Sequence, residues 1–225
     1  MKLYFHPVST VCRPIMLLAA DENIALDMQF VDLFKGEHKQ PAYLTVNPCG
    51  QVPTLDDGDF RMTEGSAILK YLAEKNGSRA YPADARQRAR VNEIMDWFNT
   101  GFSRDFCYGM VYGQTLPHVI YTDAAVQSGT LARAQEKSRH WLGILDQHLL
   151  GTKNKFVCGN DLTLADYLGV CYVTLGEVAH LKFDAWPNVT RWINTMKARP
   201  TWAKVNEGFY QHFVGGYKDG KFLGL

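Results

Sequence analysis

Alternating apolar and polar positions in the first 80 residues predict short strands near 3–6, 26–30, 52–55 and 60–63. Helical spacing follows residue 11, with Pro14 in the first turn, and recurs over 66–74. Asp57-Gly58 predicts a tight turn between the third and fourth strands. The order is a βαβ unit followed by a ββα unit. A right-handed crossover makes the first two strands parallel, which is the layout of an α/β, thioredoxin-like domain.

The strand pattern stops in the segment 76–85, where glycine, serine and proline interrupt it. Helical periodicity then predicts helices near 86–112, 122–149, 163–179, 187–199 and 201–213, followed by an aperiodic tail. Thr163 and Asp166 have the spacing of a capping box at the start of one helix. We therefore expect two domains, a thioredoxin-like domain over 1–78 and an all-helical domain over 86–225.

Charge and composition narrow the functional classes. The chain has 225 residues, with 24 Lys and Arg, 23 Asp and Glu, and a formal net charge of +1, which gives no reason to expect a nucleic-acid partner. No apolar run approaches the roughly 18 residues of a membrane span, and no leader pattern opens the chain, so we expect a cytoplasmic protein. Five widely spaced cysteines favour neither a disulfide framework nor a metal site.

The loop after the first strand carries the first candidate chemistry. Ser9, Thr10 and Cys12 stand where a helix begins, and a helix N-terminus favours an anion. The Cys-x-x-Cys pattern of thiol-redox loops is replaced by Ser9-x-x-Cys12. A serine cannot run a dithiol cycle, but its hydroxyl can donate a hydrogen bond to the thiolate of another molecule. Thr10 is an alternative donor, and a redox role of Cys12 stays open.

Two further segments could hold a peptide. An extended chain ending at Pro53 leaves the backbone of Val52 available to pair with a bound peptide, as in β-augmentation. A strand runs into a helix at Glu64-Gly65-Ser66, whose free amides suit a carboxylate. A peptide with a carboxylate at one end and a thiol in its middle would fit all three segments. Arg13 is interpreted as a structural ion pair, with a ligand clamp as the alternative.

Four motifs together resemble those of the glutathione S-transferases: residues 9–13, 47–53, 63–68 and 158–167. The resemblance covers nearly the whole chain in the right order. The first motif, with His6-Pro7 before it, is similar to the theta class and its bacterial relatives, including dichloromethane dehalogenases. The Glu64-Gly65 pair instead resembles the beta class, because theta-like members usually have serine after the glutamate.

The resemblance implies a role for each matching residue. Ser9 would be the catalytic donor to the glutathione sulfur, and Val52 would pair with the cysteinyl backbone beside a cis Pro53. The remaining glutathione contacts would be His38, Lys39, Gln51, Glu64, Gly65 and Ser66. The helical domain would form the electrophile pocket. Its candidate residues are Phe106, Tyr108, Tyr112 and Phe213.

We therefore expect a glutathione transferase that attacks a small hydrophobic electrophile, by conjugation or dehalogenation. Glutathione would be the co-substrate, with no metal, and the resemblance implies a homodimer. One alternative is a glutathione-dependent disulfide reductase or peroxidase on the same scaffold. The other is a non-enzymatic glutathione-binding module.

Overall fold

The computed structural model describes residues 1–225 and begins with a four-stranded mixed sheet. Its strands are β1 (Lys2–Phe5), β2 (Asp27–Phe30), β3 (Thr54–Asp57) and β4 (Phe60–Met62). The strand order is β2-β1-β3-β4. β1 and β2 are parallel, whereas β3 runs antiparallel to both β1 and β4. The βαβ-ββα prediction is confirmed.

The hairpin turn lies one residue later than the sequence predicted. Asp57 is the last residue of β3 and pairs with Phe60 of β4, so Gly58-Asp59 forms the turn. Gly58 has φ +70°, a conformation that glycine adopts without steric cost. Asp57 is held in the strand because its carboxylate accepts hydrogen bonds from Tyr71, at 2.6 Å, and from Lys75.

Three helices complete the thioredoxin-like domain, and six more form the helical domain. The first three are α1 (Arg13–Asp21), α2 (Pro41–Leu44) and α3 (Gly65–Lys75). The others are α4 (Ala85–Trp97), α5 (Gly113–Thr115), α6 (Ala124–Ile144), α7 (Leu164–Thr174), α8 (Pro187–Lys197) and α9 (Trp202–Gly208). The all-helical prediction is confirmed.

Several helices continue past these ends with altered winding. Wide π-type turns extend α4, α6 and α9 through Phe98–Tyr112, Leu145–Leu150 and Phe209–Val214. Short 3₁₀ segments cover Glu37–Lys39, Leu175–Ala179 and Gly215–Tyr217. The final residues lie over the surface, where Gln114 exchanges two hydrogen bonds with the backbone of Leu223. No helix has the length and hydropathy needed to cross a bilayer.

Helix α7 is the centre of the helical domain, and every residue in it is buried. Thr163 and Asp166 form the predicted capping box. The Asp166 carboxylate accepts hydrogen bonds from the amides of Val157 and Thr163, each at 2.9 Å. It accepts another from the Trp192 indole at 2.9 Å. Burial nevertheless raises the pKa of Asp166 to about 6.

Helix α1 lies between the two domains and is tied to the helical domain at both ends. At its C-terminal end, Asp21 accepts hydrogen bonds from Tyr167 at 2.8 Å, Arg199 at 2.5 Å and Thr201. At its N-terminal end, the fully buried Arg13 contacts α7 and α9. These two contacts set the position of α1.

The contacts of Arg13 correct the sequence interpretation in one respect. Its guanidinium donates to Asn206 Oδ1 at 2.6 Å, Thr174 Oγ1 at 3.0 Å and the Cys171 carbonyl at 3.3 Å. It also lies 3.7 Å from the centre of the Phe209 ring. These contacts join the two domains, but no carboxylate is paired with Arg13, so the expected ion pair is wrong.

Replacing Asp166 should destabilise the fold strongly. Asp166→Ala leaves three buried N–H donors without their acceptor, and each such donor costs roughly 1–3 kcal/mol. We expect a loss of at least about 3 kcal/mol in the free energy of unfolding, measured by urea denaturation. The matched control is Asp161→Ala, at an exposed position, which should change stability by less than about 0.5 kcal/mol. Equal losses in the two variants would contradict this account.

Candidate active site

The loop between β1 and α1 presents a hydroxyl and two free amides. The Ser9 carbonyl accepts hydrogen bonds from the amides of Cys12 and Arg13, each at 3.1 Å. Ser9 Oγ accepts a third from the Cys12 amide at 3.3 Å. The hydroxyl hydrogen of Ser9 therefore stays available for donation. The amides of Thr10 and Val11 form no hydrogen bond within the chain, so the loop can stabilise a negative charge.

Thr10 and Cys12 are placed differently from Ser9. The Thr10 side chain is buried, and its hydroxyl lies 2.8 Å from the hydroxyl of Tyr112. Cys12 is fully buried, and this burial raises the pKa of its thiol to about 11. Ser9 is half-buried. Of the three side chains, that of Ser9 is the one that is accessible to solvent and that can still donate its hydroxyl hydrogen.

A second segment leads into β3 with unpaired backbone groups. The peptide bond between Val52 and Pro53 is cis. Neither the N–H nor the C=O of Val52 forms a hydrogen bond within the chain. The preceding carbonyl, of Gln51, accepts hydrogen bonds from Tyr43 Oη and Asn47 Nδ2, each at 2.8 Å. These two bonds fix the approach to Val52 and leave its own polar groups open.

The N-terminus of α3 packs directly against the Ser9 loop. A Cβ added to Gly65 would lie 2.8 Å from the Val11 carbonyl oxygen. Only glycine permits this approach. The preceding residue, Glu64, has φ 65° and ψ 110° and makes no side-chain cap. Such backbone strain costs about 1–3 kcal/mol and is concentrated at functional sites. The first amides of α3, at Gly65 and Ser66, have no partners within the helix.

His38 and Lys39 lie in the 3₁₀ segment Glu37–Lys39, which precedes α2. Lys39 Nζ donates to the Gly50 carbonyl at 3.0 Å. Gly50 has φ +58°, and a Cβ there would lie 2.9 Å from the His38 carbonyl oxygen. His38 Nδ1 is buried without a hydrogen-bond partner, and partial burial lowers the pKa of the imidazole. A neutral His38 therefore has an unused ring nitrogen.

Three contacts bring these segments together. Val11 touches Gly65 across the loop and the α3 N-terminus. Cys12 and Val52 belong to one small apolar cluster. The sequence-predicted residues Ser9, Val52 and Glu64 therefore border one region, and Lys39 extends it through Gly50. No group of three or more His, Cys, Asp or Glu side chains is arranged to hold a metal ion.

Most of the aromatic candidates meet beside this region. Tyr112 lies against Tyr108, with ring centres 5.2 Å apart, and stacks on Phe213 at 6.5 Å. Its hydroxyl joins this group to Thr10. Phe106 differs: it has no exposed surface and stacks on Phe102 at 4.8 Å. Phe106 therefore belongs to the core, which corrects its assignment to a pocket wall.

Sequence reasoning missed the residues that secure the loop from the helical domain. Asn206 and Thr174 are fully buried and accept hydrogen bonds from Arg13. Asn206 could have been noticed in the sequence, because it is a polar residue on the apolar helix face that also carries Trp202 and Phe209. The hydroxyl contact between Thr10 and Tyr112 spans 102 positions, and no local pattern indicates it.

Comparison with known proteins identifies the family. The glutathione S-transferase N-terminal domain matches residues 1–74, and the C-terminal domain of the same family matches residues 115–200. Human glutathione S-transferase theta-1 is 31% identical over 201 residues, covering 88% of this chain and 82% of that protein. The mouse theta-1 protein is 32% identical over 206 residues, with the same coverage.

Solved structures agree with the sequence comparison. Human glutathione transferase theta-2, in complex with glutathione and an unknown ligand, superposes with a TM-score of 0.85 at 26% identity, covering 100% of this chain and 93% of that one. A delta-class enzyme from Nilaparvata lugens gives a TM-score of 0.80 at 30% identity, covering 97% and 98%. The chain belongs to the glutathione S-transferase family, and it is a glutathione transferase related to the theta class.

A methyl group at Gly65 should disturb the contact between α3 and the Ser9 loop. Gly65→Ala forces a carbon toward the Val11 carbonyl, and such overpacking typically costs about 1–3 kcal/mol of stability. The control is Gly129→Ala in α6, where an added Cβ meets nothing within 4 Å; it should stabilise the protein by about 0.5–1 kcal/mol. Thermal unfolding measures both changes, and a stabilising Gly65→Ala variant would refute the close packing.

Proposed function

We propose that this transferase binds glutathione across the Ser9, Val52 and Glu64 segments and that the Ser9 hydroxyl donates a hydrogen bond to its sulfur. The sulfur is thereby held as a thiolate, which attacks a small hydrophobic electrophile. The observation that carries the proposal is the free hydroxyl hydrogen of Ser9 beside the unpaired amides of Thr10 and Val11. The structure of human theta-2 with bound glutathione supports the choice of peptide.

The Ser9 loop has enough polar groups to acidify a thiol. A free cysteine thiol has a pKa of about 8.5, and lowering it by about two units requires about 2.7 kcal/mol. One hydrogen bond to a charged acceptor contributes about 1.5–3 kcal/mol, and a helix N-terminus adds roughly 0.3–1 kcal/mol. Because the Cys12 amide already donates to Ser9 Oγ, the hydroxyl is polarised toward donation. No metal or general base is required.

The rest of the tripeptide finds a partner in each neighbouring segment. The cysteinyl backbone of glutathione pairs with the free N–H and C=O of Val52. The γ-glutamyl carboxylate accepts from the first amides of α3. The residues on the γ-glutamyl side of the site are Gln51, Glu64, Gly65 and Ser66. The glycyl carboxylate faces the ammonium group of Lys39, with His38 beside it.

The electrophile binds between the thiolate and the aromatic group of the helical domain. Tyr108 is 54% exposed, whereas Tyr112 and Phe213 form the deeper part of the wall. The thiolate forms a bond from sulfur to carbon, and with an alkyl or aryl halide the carbon–halogen bond breaks and halide leaves with the electron pair. Conjugation and dehalogenation therefore share this step.

The reductase alternative has less support. A glutathione-dependent disulfide reductase needs a reactive protein thiol near the sulfur. Cys12, the cysteine of this loop, is fully buried, and burial raises its pKa to about 11. At neutral pH it is a protonated thiol without access to a disulfide.

We also propose that the protein is a homodimer, with the thioredoxin-like domain of one subunit against the helical domain of the other. Exposed apolar side chains on the thioredoxin-like domain support this, including Phe60, which is 47% exposed and packs on Tyr71. Light scattering should give the mass of two chains. The mass of one chain under assay conditions would refute the dimer.

Removing the Ser9 hydroxyl should raise the pKa of the bound thiol. In Ser9→Ala we expect kcat/KM at neutral pH to fall about 10- to 100-fold, because one charge-assisted hydrogen bond is lost. The midpoint of the pH–rate profile should move up toward about 8.5, the value of a free thiol. The assay follows conjugation of an aryl halide and release of halide from an alkyl halide.

Two variants serve as controls for this experiment. Ser128→Ala removes an exposed hydroxyl from α6 and should leave the profile unchanged. Cys12→Ala should retain transferase activity if it folds. A Cys12→Ala variant without activity, together with a fully active Ser9→Ala variant, would favour the reductase.

A further inference from the structure

Arg13 is a buried cation without a counter-ion. Its side chain has no exposed surface, and it takes part in none of the ion pairs of the protein. Its partners are the neutral groups of Asn206, Thr174 and Cys171, together with the Phe209 ring. A buried charge is normally paired, because removal from water is costly.

The ionisable groups around Arg13 do not supply the missing negative charge. Burial raises the pKa of Cys171 to about 11 and raises that of Tyr210, so both are neutral at physiological pH. Glu177, a carboxylate near Tyr210, is already paired with Lys197 at 2.6 Å. The positive charge of Arg13 is therefore not neutralised within the protein.

The position of this charge on the helix is also unfavourable for stability alone. Arg13 is the first residue of α1, where the helix dipole is positive and an acidic residue would be preferred. The same helix end carries Ser9, whose carbonyl accepts a hydrogen bond from the Arg13 amide at 3.1 Å. The cation and the dipole therefore both contribute positive charge at the end of α1 that follows the Ser9 loop.

We propose that Arg13 is a positioning residue whose uncompensated charge lowers the pKa of the bound glutathione thiol, so that the thiolate acts as its distant counter-ion. The inference rests on the proposed function of Ser9. Arg13 does not touch the sulfur; it acts through the helix end that it anchors and through the low-dielectric domain interface.

The hydroxyl pair of Thr10 and Tyr112 adjoins the Ser9 loop. Burial raises the pKa of Tyr112, and the Thr10 hydrogen bond and the charge of Arg13 oppose that rise. Arg13 thus lies near a hydroxyl that is hydrogen-bonded to Thr10, the neighbour of Ser9. At separations on the order of 10 Å and an effective dielectric constant of about 20, one unit charge shifts a pKa by roughly one unit.

The test titrates the thiol of glutathione bound to the whole enzyme, by the ultraviolet absorbance of the thiolate. In Arg13→Met we expect the thiol pKa to rise by about one unit, while Arg13→Lys retains most of the wild-type value. The matched control is Arg199→Met, which removes a cation from the same domain interface at the other end of α1. It should leave the thiol pKa unchanged, even where it lowers thermal stability.

A second variant neutralises Arg13 without removing it. Asn206→Asp places a carboxylate where Oδ1 now accepts from Arg13 Nε at 2.6 Å. If Arg13 has only a structural role, this new ion pair does not change the pKa of the bound thiol. We expect the thiol pKa to rise by about one unit, as in Arg13→Met. This variant decides the question if Arg13→Met does not fold.

The outcomes separate the two proposals. A wild-type protein whose bound thiol titrates like free glutathione would overturn the proposed function of Ser9. An acidified wild-type thiol, combined with unshifted values in Asn206→Asp and in folded Arg13→Met, would overturn the role of Arg13 alone. Equal shifts in Arg13→Met and Arg199→Met would also overturn it, because a general loosening of the interface would then explain both.

Discussion

The attachment of α1 to the helical domain is the constraint on which the rest of the structure depends. Its two ends carry the buried side chains of Arg13 and Asp21, and each is held by side chains from that domain. Because the Ser9 loop leads directly into this helix, fixing the helix also fixes the loop. The close approach of Val11 and Gly65 then places the α3 N-terminus beside it.

Several features of the candidate site lower the stability of the folded chain. The strained backbone of Glu64, the unpaired amides at two helix ends and the lone buried cation are each unfavourable within the folded chain. The amides and the cation each place positive charge near the Ser9 loop, which suits an anion. The stability lost there is offset in the helical domain, where α7 is entirely buried and Asp166 satisfies four hydrogen-bond donors.

Local sequence patterns were sufficient to predict the architecture and to select the segments of the candidate site. Alternation, helical spacing and the Thr163–Asp166 cap predicted elements that the structure contains, because each depends on residues a few positions apart. The motifs around Ser9, Val52 and Glu64 predicted segments that the fold brings together. The turn at Gly58 was displaced by one residue, because side chains from α3 hold Asp57 in its strand.

Features that depend on distant contacts were not predictable in this way. Alternation indicated β2, but not that Phe30 would be 55% exposed at the edge of the sheet. Helical spacing could not show that Phe106 lies in the core while Tyr108, two residues later, is open to solvent. The neutral partners of Arg13 come from residues more than 150 positions away.

The most direct test of the account is the position of the sulfur in a crystal structure of this protein with glutathione. We expect the sulfur within hydrogen-bonding distance of Ser9 Oγ, with the cysteinyl backbone paired to Val52. A sulfur that lies beyond reach of that hydroxyl, with the Val52 backbone still unpaired, would contradict the central claim.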